Sequence, residues 1–375
     1  MKFKLREFHT LISQDGLFAD GDWVESKDQD PNGEVRLVQL ADIGTGEFID
    51  KSNRYMTREK AKELRCTFLE AGDILIARMP DPIGRACIFP GSKMPCVTVV
   101  DVCIVRPLPD EVNSRWLMHT INSKIFNNNI LQFVTGTTRQ RISRGNLSKL
   151  KIPLPPLVEQ KRIAAILDKA DTLRRKNQQA IQLADQFLRA VFLDMFGDPL
   201  SWTRQSIPLD WEEQPIGKIA HLKRGYDLPV QSRNVGKVPI YAANGVVGYH
   251  DEAKTQGPGV ITGRSGTLGT VMYSKGSYWP LNTSLYVTDF FGNEPRYIQW
   301  FLQFYKLDRY NRGAGVPTLN RNLFLEEISF VPPKELQAKF VGIFGKVSTI
   351  LSKVNDSSGV ELFDALSQKA FAGEL

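Results

Sequence analysis

The side chains best suited to chemistry in this sequence are arginines, and they fall in a few dense places. Thr135-Gly136-Thr137-Thr138-Arg139-Gln140-Arg141-Ile142-Ser143-Arg144 sets three arginines, a glutamine and several hydroxyls beside a glycine that lets another backbone approach closely. Arg78 and Arg85 flank the loop Met79-Pro80-Asp81-Pro82-Ile83-Gly84. Farther along, Lys223-Arg224-Gly225-Tyr226, Arg264-Ser265-Gly266-Thr267 and Arg309-Tyr310-Asn311-Arg312-Gly313 offer similar groups, joined by Arg321 and by Asn244 beside Gly245. Guanidinium and amide groups present paired donors that match base edges, while Lys, Arg and hydroxyls hold phosphates. Arg78, Arg85, Arg139, Gln140, Arg141, Arg144, Arg224, Tyr226, Asn244, Arg264, Arg312 and Arg321 are therefore candidates for nucleic-acid contact. A structural role fits Arg144 and Arg321 as well, because they occupy equivalent places in an internal repeat. Trp23, Trp116, Trp279 and Trp300 are expected to fill cores.

Charge supports a polyanionic ligand without requiring one. Residues 1–50 hold 5 basic and 11 acidic side chains, whereas residues 51–155 hold 17 and 8, so an acidic start precedes a basic body. Catalytic motifs are missing: there is no phosphate loop, no nucleophile elbow and no complete G-x-G-x-x-G. Cys66, Cys87, Cys96 and Cys103 form no C-x-x-C pair, and His9, His119, His221 and His250 are scattered, so neither a metal site nor a disulfide framework is expected. A reducing, cytoplasmic setting fits this cysteine usage. The first residues mix charges of both signs into the apolar ones, so the chain is expected to begin at Met1 without a secretory signal. No apolar run reaches the ~18 residues of a membrane span.

The elements that position these arginines come in two copies. At a shift of 177 residues Arg144 meets Arg321, Pro155-Pro156 meets Pro332-Pro333, and Gln160 meets Gln337. Upstream, Gly72-Asp73-Ile74-Leu75-Ile76-Ala77-Arg78 and Gly259-Val260-Ile261-Thr262-Gly263-Arg264 each read as a strand that ends in an arginine. Each Pro-Pro opens a long helix. In the first helix Ile163, Ile166, Ala170, Leu173, Asn177, Ala180, Ala184, Phe187 and Val191 step by three and four, a heptad seam with Asn177 as its polar register residue. The second begins alike with Leu336, Phe340, Ile343, Val347, Ile350 and Val354, then meets a break at Asn355-Asp356-Ser357-Ser358-Gly359. A two-residue insertion there kinks or briefly unwinds it. The fold class is α+β: two mixed α/β units in tandem repeat, separated by two long helices packed as an antiparallel coiled coil. The boundaries are 1–153 for the first unit, 154–198 for the central helix region, 199–331 for the second unit and 332–375 for the C-terminal helix region.

This order of parts resembles the specificity subunit of type I restriction-modification systems across nearly the whole chain. Ile152-Pro153-Leu154-Pro155-Pro156-Leu157-Val158-Glu159-Gln160-Lys161-Arg162-Ile163, Phe192-Leu193-Asp194-Met195-Phe196-Gly197-Asp198-Pro199 and the C-terminal Gln368-Lys369-Ala370-Phe371-Ala372-Gly373-Glu374-Leu375 carry the likeness. The resemblance implies that each unit is a target recognition domain reading one half of a bipartite double-stranded DNA sequence. It implies that the helices set the spacer and dock adenine methylation subunits, two of them, with nuclease-translocase restriction subunits completing the complex. No cofactor is expected on this chain, and S-adenosylmethionine belongs to the methylation subunits. The chain itself is expected to perform no catalysis and to have no membrane partner. The break at 357–359 puts the spacer geometry in doubt, and the two units share little in residues 21–60 and 200–256. A structural tether whose units bind only proteins is the competing class.

Overall fold

Paired prolines set the turning points of this chain. Pro155-Pro156 follows the strand Lys151–Leu154 and Pro332-Pro333 follows the strand Ile328–Val331, and a helix starts immediately after each pair. Proline cannot donate to a ladder, and its fixed φ suits a helix start, so strand end and helix start coincide. The structure, a computed structural model, describes residues 3–12, 16–108, 110–136, 139–311, 315–356 and 359–375; of residues 355–356 and 359–361 it describes the backbone only. Two compact units result: Met1–Gln178 with Ser357–Leu375, and Gln179–Asp356.

The units repeat one topology. The first holds a four-stranded antiparallel sheet in the order Leu17–Asp20, Val102–Arg106, Ile74–Ala77, Ala86–Ile88. The second holds His221–Arg224, Ser284–Asp289, Gly259–Gly263, Val271–Ser274 in the same order. Each has a three-stranded sheet whose middle strand, Val35–Val38 or Val238–Ala242, pairs antiparallel on one side and parallel on the other. A two-stranded ladder joins Lys4–Glu7 to Lys151–Leu154, and its counterpart joins Glu212–Pro215 to Ile328–Val331. The expected α+β class with two tandem mixed units is what folds.

The helix Leu157–Phe196 serves both cores. In the first unit Ile163, Ala164 and Leu167 pack with Trp116, Leu117, Ala370 and Phe371, the last two from the helix Gly359–Ala372. In the second, Leu188, Phe192 and Phe196 pack with Phe340 of the helix Lys334–Asp356. Within each unit, then, a stretch of the long helix packs against one C-terminal helix, Gly359–Ala372 in the first and Lys334–Asp356 in the second. The helices Lys334–Asp356 and Gly359–Ala372 flank Ser357 and Ser358, so the expected interruption falls on residues that lie outside the described ones.

The heptad seam needs correction. Ile163 and Ala170 are buried and Ile166 and Asn177 half-buried, but Leu173 and Phe187 are 50% and 52% exposed, and the buried neighbours are Leu167 and Leu188. A straight helix drifts by roughly 20° per heptad against a 3.5 repeat, and a helix packed on a globular core buries a wider stripe than a coiled-coil seam. The same holds for the second seam: Phe340 is buried, Ile343 and Val347 pack against the core, and Ile350 is exposed.

Polar anchors fix both helix starts in equivalent ways. Gln160 accepts from the Asn113 backbone N–H at 2.9 Å and donates to the Pro155 carbonyl at 3.0 Å. Gln337 accepts from the Glu294 N–H and donates to the Pro332 carbonyl, both at 3.0 Å. In the first unit Asp168 adds a further clasp, taking Arg115 Nε at 2.6 Å and the buried His119 Nε2 at 2.7 Å. Burial alone would raise the Asp168 carboxyl, but the hydrogen bonds from His119 and Arg115 and the arginine charge outweigh it and hold it at about 2, against an ordinary 3.8. Because the folded value is depressed, this clasp stabilises fully above the ordinary value and is lost as pH falls from there through about 2. Asp168→Asn is expected to lower stability at neutral pH by about 1–2 kcal/mol, allowing for screening of a partly exposed group. In denaturant titrations that difference should close as pH approaches 2; a difference that persists there would contradict the assignment.

Candidate nucleic-acid interface

The candidate arginines gather where one interior strand of each four-stranded sheet ends. In the first unit Arg78 follows Ile74–Ala77, and Ile142 N–H donates to its carbonyl at 3.0 Å. That bond tethers a hairpin closed by Thr135 and Arg141, whose backbones exchange hydrogen bonds of 3.0 and 2.9 Å. Arg139 and Gln140 stand exposed on this hairpin, while Thr137 and Thr138 lie outside the described residues. Arg141 Nε lies 3.6 Å from Asp101, and Arg144 donates to the Phe18 carbonyl at 2.8 Å with its guanidinium over the Phe18 ring.

Two candidates have other work. Arg78 is only 2% exposed, donates to the Val100 carbonyl, and pairs with Asp20 at 3.2 Å. Burial pushes its pKa down from the ordinary value, but guanidinium keeps its charge. Arg85 is buried among backbone carbonyls, donating to Ile43 at 2.6 Å, Leu40 at 2.9 Å, Pro82 at 3.0 Å and Met79 at 3.1 Å. Four of its five N–H donors brace the 78–85 loop and tie it to the turn at residues 40–43. Arg78 and Arg85, expected as candidates for nucleic-acid contact, thus stand buried with protein partners.

The second unit repeats the frame. Leu319 N–H donates to the Arg264 carbonyl at 2.8 Å as Ile142 does to Arg78, and Arg321 donates to the Leu222 carbonyl at 3.1 Å as Arg144 does to Phe18. Arg264 caps the Asn282 carbonyl at 3.1 Å. The structure brings Arg224, Arg264 and Arg321 together around an open pocket of about 600 Å³, lined also by Thr318, Asn320 and Asn322. Tyr226 is partly exposed, its hydroxyl 2.9 Å from that of Tyr286, and Asn244 stands exposed between the strands Val238–Ala242 and Gly245–His250. Arg312 lies outside the described residues.

Sequence reading missed three things here. Trp23 is 69% exposed instead of core, whereas Trp116, Trp279 and Trp300 are buried. Asp20 and Asp101, part of the charge count but never placed, pair with the arginines of the first unit. Extending the repeat alignment upstream would have found Asp20, yet only Gly21 and Gly225 match there, and loops of different length shift the register. Among the described residues no group of three or more His, Cys, Asp or Glu could hold a metal ion, and no helix is long and apolar enough to cross a membrane.

The family model for the type I restriction modification DNA specificity domain matches residues 15–183 and 208–358. The chain belongs to that family. It is 24% identical over 212 residues to the type I restriction enzyme MjaIX specificity subunit of Methanocaldococcus jannaschii, covering 52% of this chain and 47% of that one. To the EcoR124I/EcoR124II specificity subunit of Escherichia coli it is 28% identical over 144 residues, covering 38% and 35%. These alignments span less than half of each relative. The crystal structure of a type I restriction-modification S subunit from M. genitalium superposes with a TM-score of 0.64 at 20% identity over 99% of this chain and 96% of that one, so the fold is shared end to end.

Proposed function

We propose that the chain is the sequence-recognition subunit of a type I restriction-modification complex and performs no catalysis itself. Each unit reads one half of a bipartite duplex target. The observation that carries this reading is the repetition of one frame, Arg78 with Arg144 and Arg264 with Arg321, at the same strand end of two units in a chain of the DNA specificity family. The differing loops around that frame, such as the hairpin bearing Arg139 and Gln140 and the segment bearing Arg224 and Tyr226, supply the donors that differ between half-sites. Exposed apolar side chains on the long helices, among them Leu173, Phe187 and Ile350, dock two adenine methylation subunits, which bring S-adenosylmethionine. Restriction subunits complete the complex in the cytoplasm.

The competing reading, a protein tether with an incidental basic surface, separates on salt. A reader neutralising Z phosphates loses affinity for duplex DNA with a log–log salt slope near −0.9Z. Titrated in the complex with its methylation subunits, the chain is expected to give a steep negative slope, abolished when the subunit is omitted. A slope near zero identifies a tether.

A further inference from the structure

Gly21 and Gly225 hold the two units in identical poses at one point. A Cβ on Gly21 would lie 2.1 Å from the Val99 carbonyl oxygen, and one on Gly225 would lie 2.3 Å from that of Leu281. Gly21 N–H donates to Val102, and Gly225 N–H donates to Ser284. The preceding residues are therefore structural equivalents: Asp20 sits opposite Cys103 in its ladder as Arg224 sits opposite Leu285. One position carries a carboxylate in the first unit and a guanidinium in the second.

The consequence is electrostatic. In the first unit Asp20 reaches Arg78 at 3.2 Å and Arg144 at 3.6 Å, so both arginines of the shared frame have an internal counter-charge. In the second unit Arg224 joins Arg264 and Arg321 around the same frame, and among the described residues no carboxylate pairs with Arg264 or Arg321. Arg224 itself is 3.7 Å from Asp227, a weak and exposed pairing. Each of Arg264 and Arg321 spends one nitrogen on a carbonyl and keeps further donors for the pocket.

The geometry points to a phosphate clamp that only the second unit possesses. Arg224, Arg264 and Arg321 take a phosphodiester oxyanion of duplex DNA, while Asp20 cancels the equivalent site in the first unit, so the two half-sites are gripped with unequal charge. This rests on the reading of the chain as a DNA-binding subunit.

The test measures binding of a random-sequence duplex by the full chain as a function of salt, for wild type, Arg224→Ala, Arg224→Lys and Asp20→Asn. One lost phosphate contact makes the slope shallower by about 0.9 and weakens binding about fivefold at 0.15 M salt. That is the result expected of Arg224→Ala, with thermal stability unchanged because the side chain is exposed. Arg224→Lys, which keeps a phosphate-binding charge, should restore the slope. Asp20→Asn should steepen it by unmasking charge in the first unit. An Arg224→Ala slope equal to that of wild type, or an unmoved slope in Asp20→Asn, overturns the asymmetry while leaving the DNA-binding reading intact. Inorganic phosphate bound in an Arg224-dependent way, with duplex binding unaffected, would likewise overturn it. Absence of salt-dependent duplex binding by the wild type removes both.

Discussion

Phe192→Ala is expected to destabilise the second unit by about 3–5 kcal/mol, enough to leave much of it unfolded at 37 °C. The Phe192 ring is fully buried at the centre of an aromatic cluster: it stacks on Phe304 at 4.8 Å, meets Phe196 at 4.9 Å, and meets Phe340 edge-on at 5.5 Å. The long helix contributes this ring, with Leu188 and Phe196, to the core of the second unit, so its loss opens a cavity there. Phe187, five residues earlier on the same helix, is half exposed. Phe187→Ala should move the urea midpoint by no more than about 0.5 kcal/mol equivalent. Equal effects at the two positions would contradict the corrected seam.

Arg85→Met should be nearly as damaging, and for a reason unrelated to DNA. Methionine keeps most of the stem volume but leaves the carbonyls of Ile43 and Met79 without a donor, while those of Leu40 and Pro82 keep the backbone N–H groups of Ile43 and Arg85. Each buried acceptor left unpaired costs about 1–3 kcal/mol, so a total loss of about 2–6 kcal/mol is expected in chemical denaturation. Arg139→Ala reverses the pattern. That side chain is exposed on the hairpin, so stability should stay within about 0.5 kcal/mol while duplex affinity falls. A stable Arg85→Met protein with weakened DNA binding would return Arg85 to the interface.

How far the molecule could be read in advance follows from what repeats and what does not. The match of Arg144, Pro155-Pro156 and Gln160 with Arg321, Pro332-Pro333 and Gln337 marked strand ends and helix starts because those residues have one physical use in both copies: carbonyl capping, strand termination and helix anchoring. The seam was legible as a stripe but not in its phase, since a three-four pattern on one helix does not say which neighbouring column faces a globular core. Burial of Arg85 was illegible because its partners are backbone carbonyls, which any sequence supplies. The Asp20 and Arg224 equivalence was hidden for the opposite reason: the backbone frame is the same, and the side chains that differ are those that distinguish the two sites.

Mapping methylated adenines at base resolution in the native host, with the gene intact, deleted and restored, tests the central claim most directly. The account predicts that deletion erases methylation at one bipartite motif and that restoring the gene returns it at the same motif, with both half-sites and their spacer unchanged. In an intact host that methylates such a motif, a map that deletion leaves unaltered would contradict the assignment of this chain as the determinant of sequence.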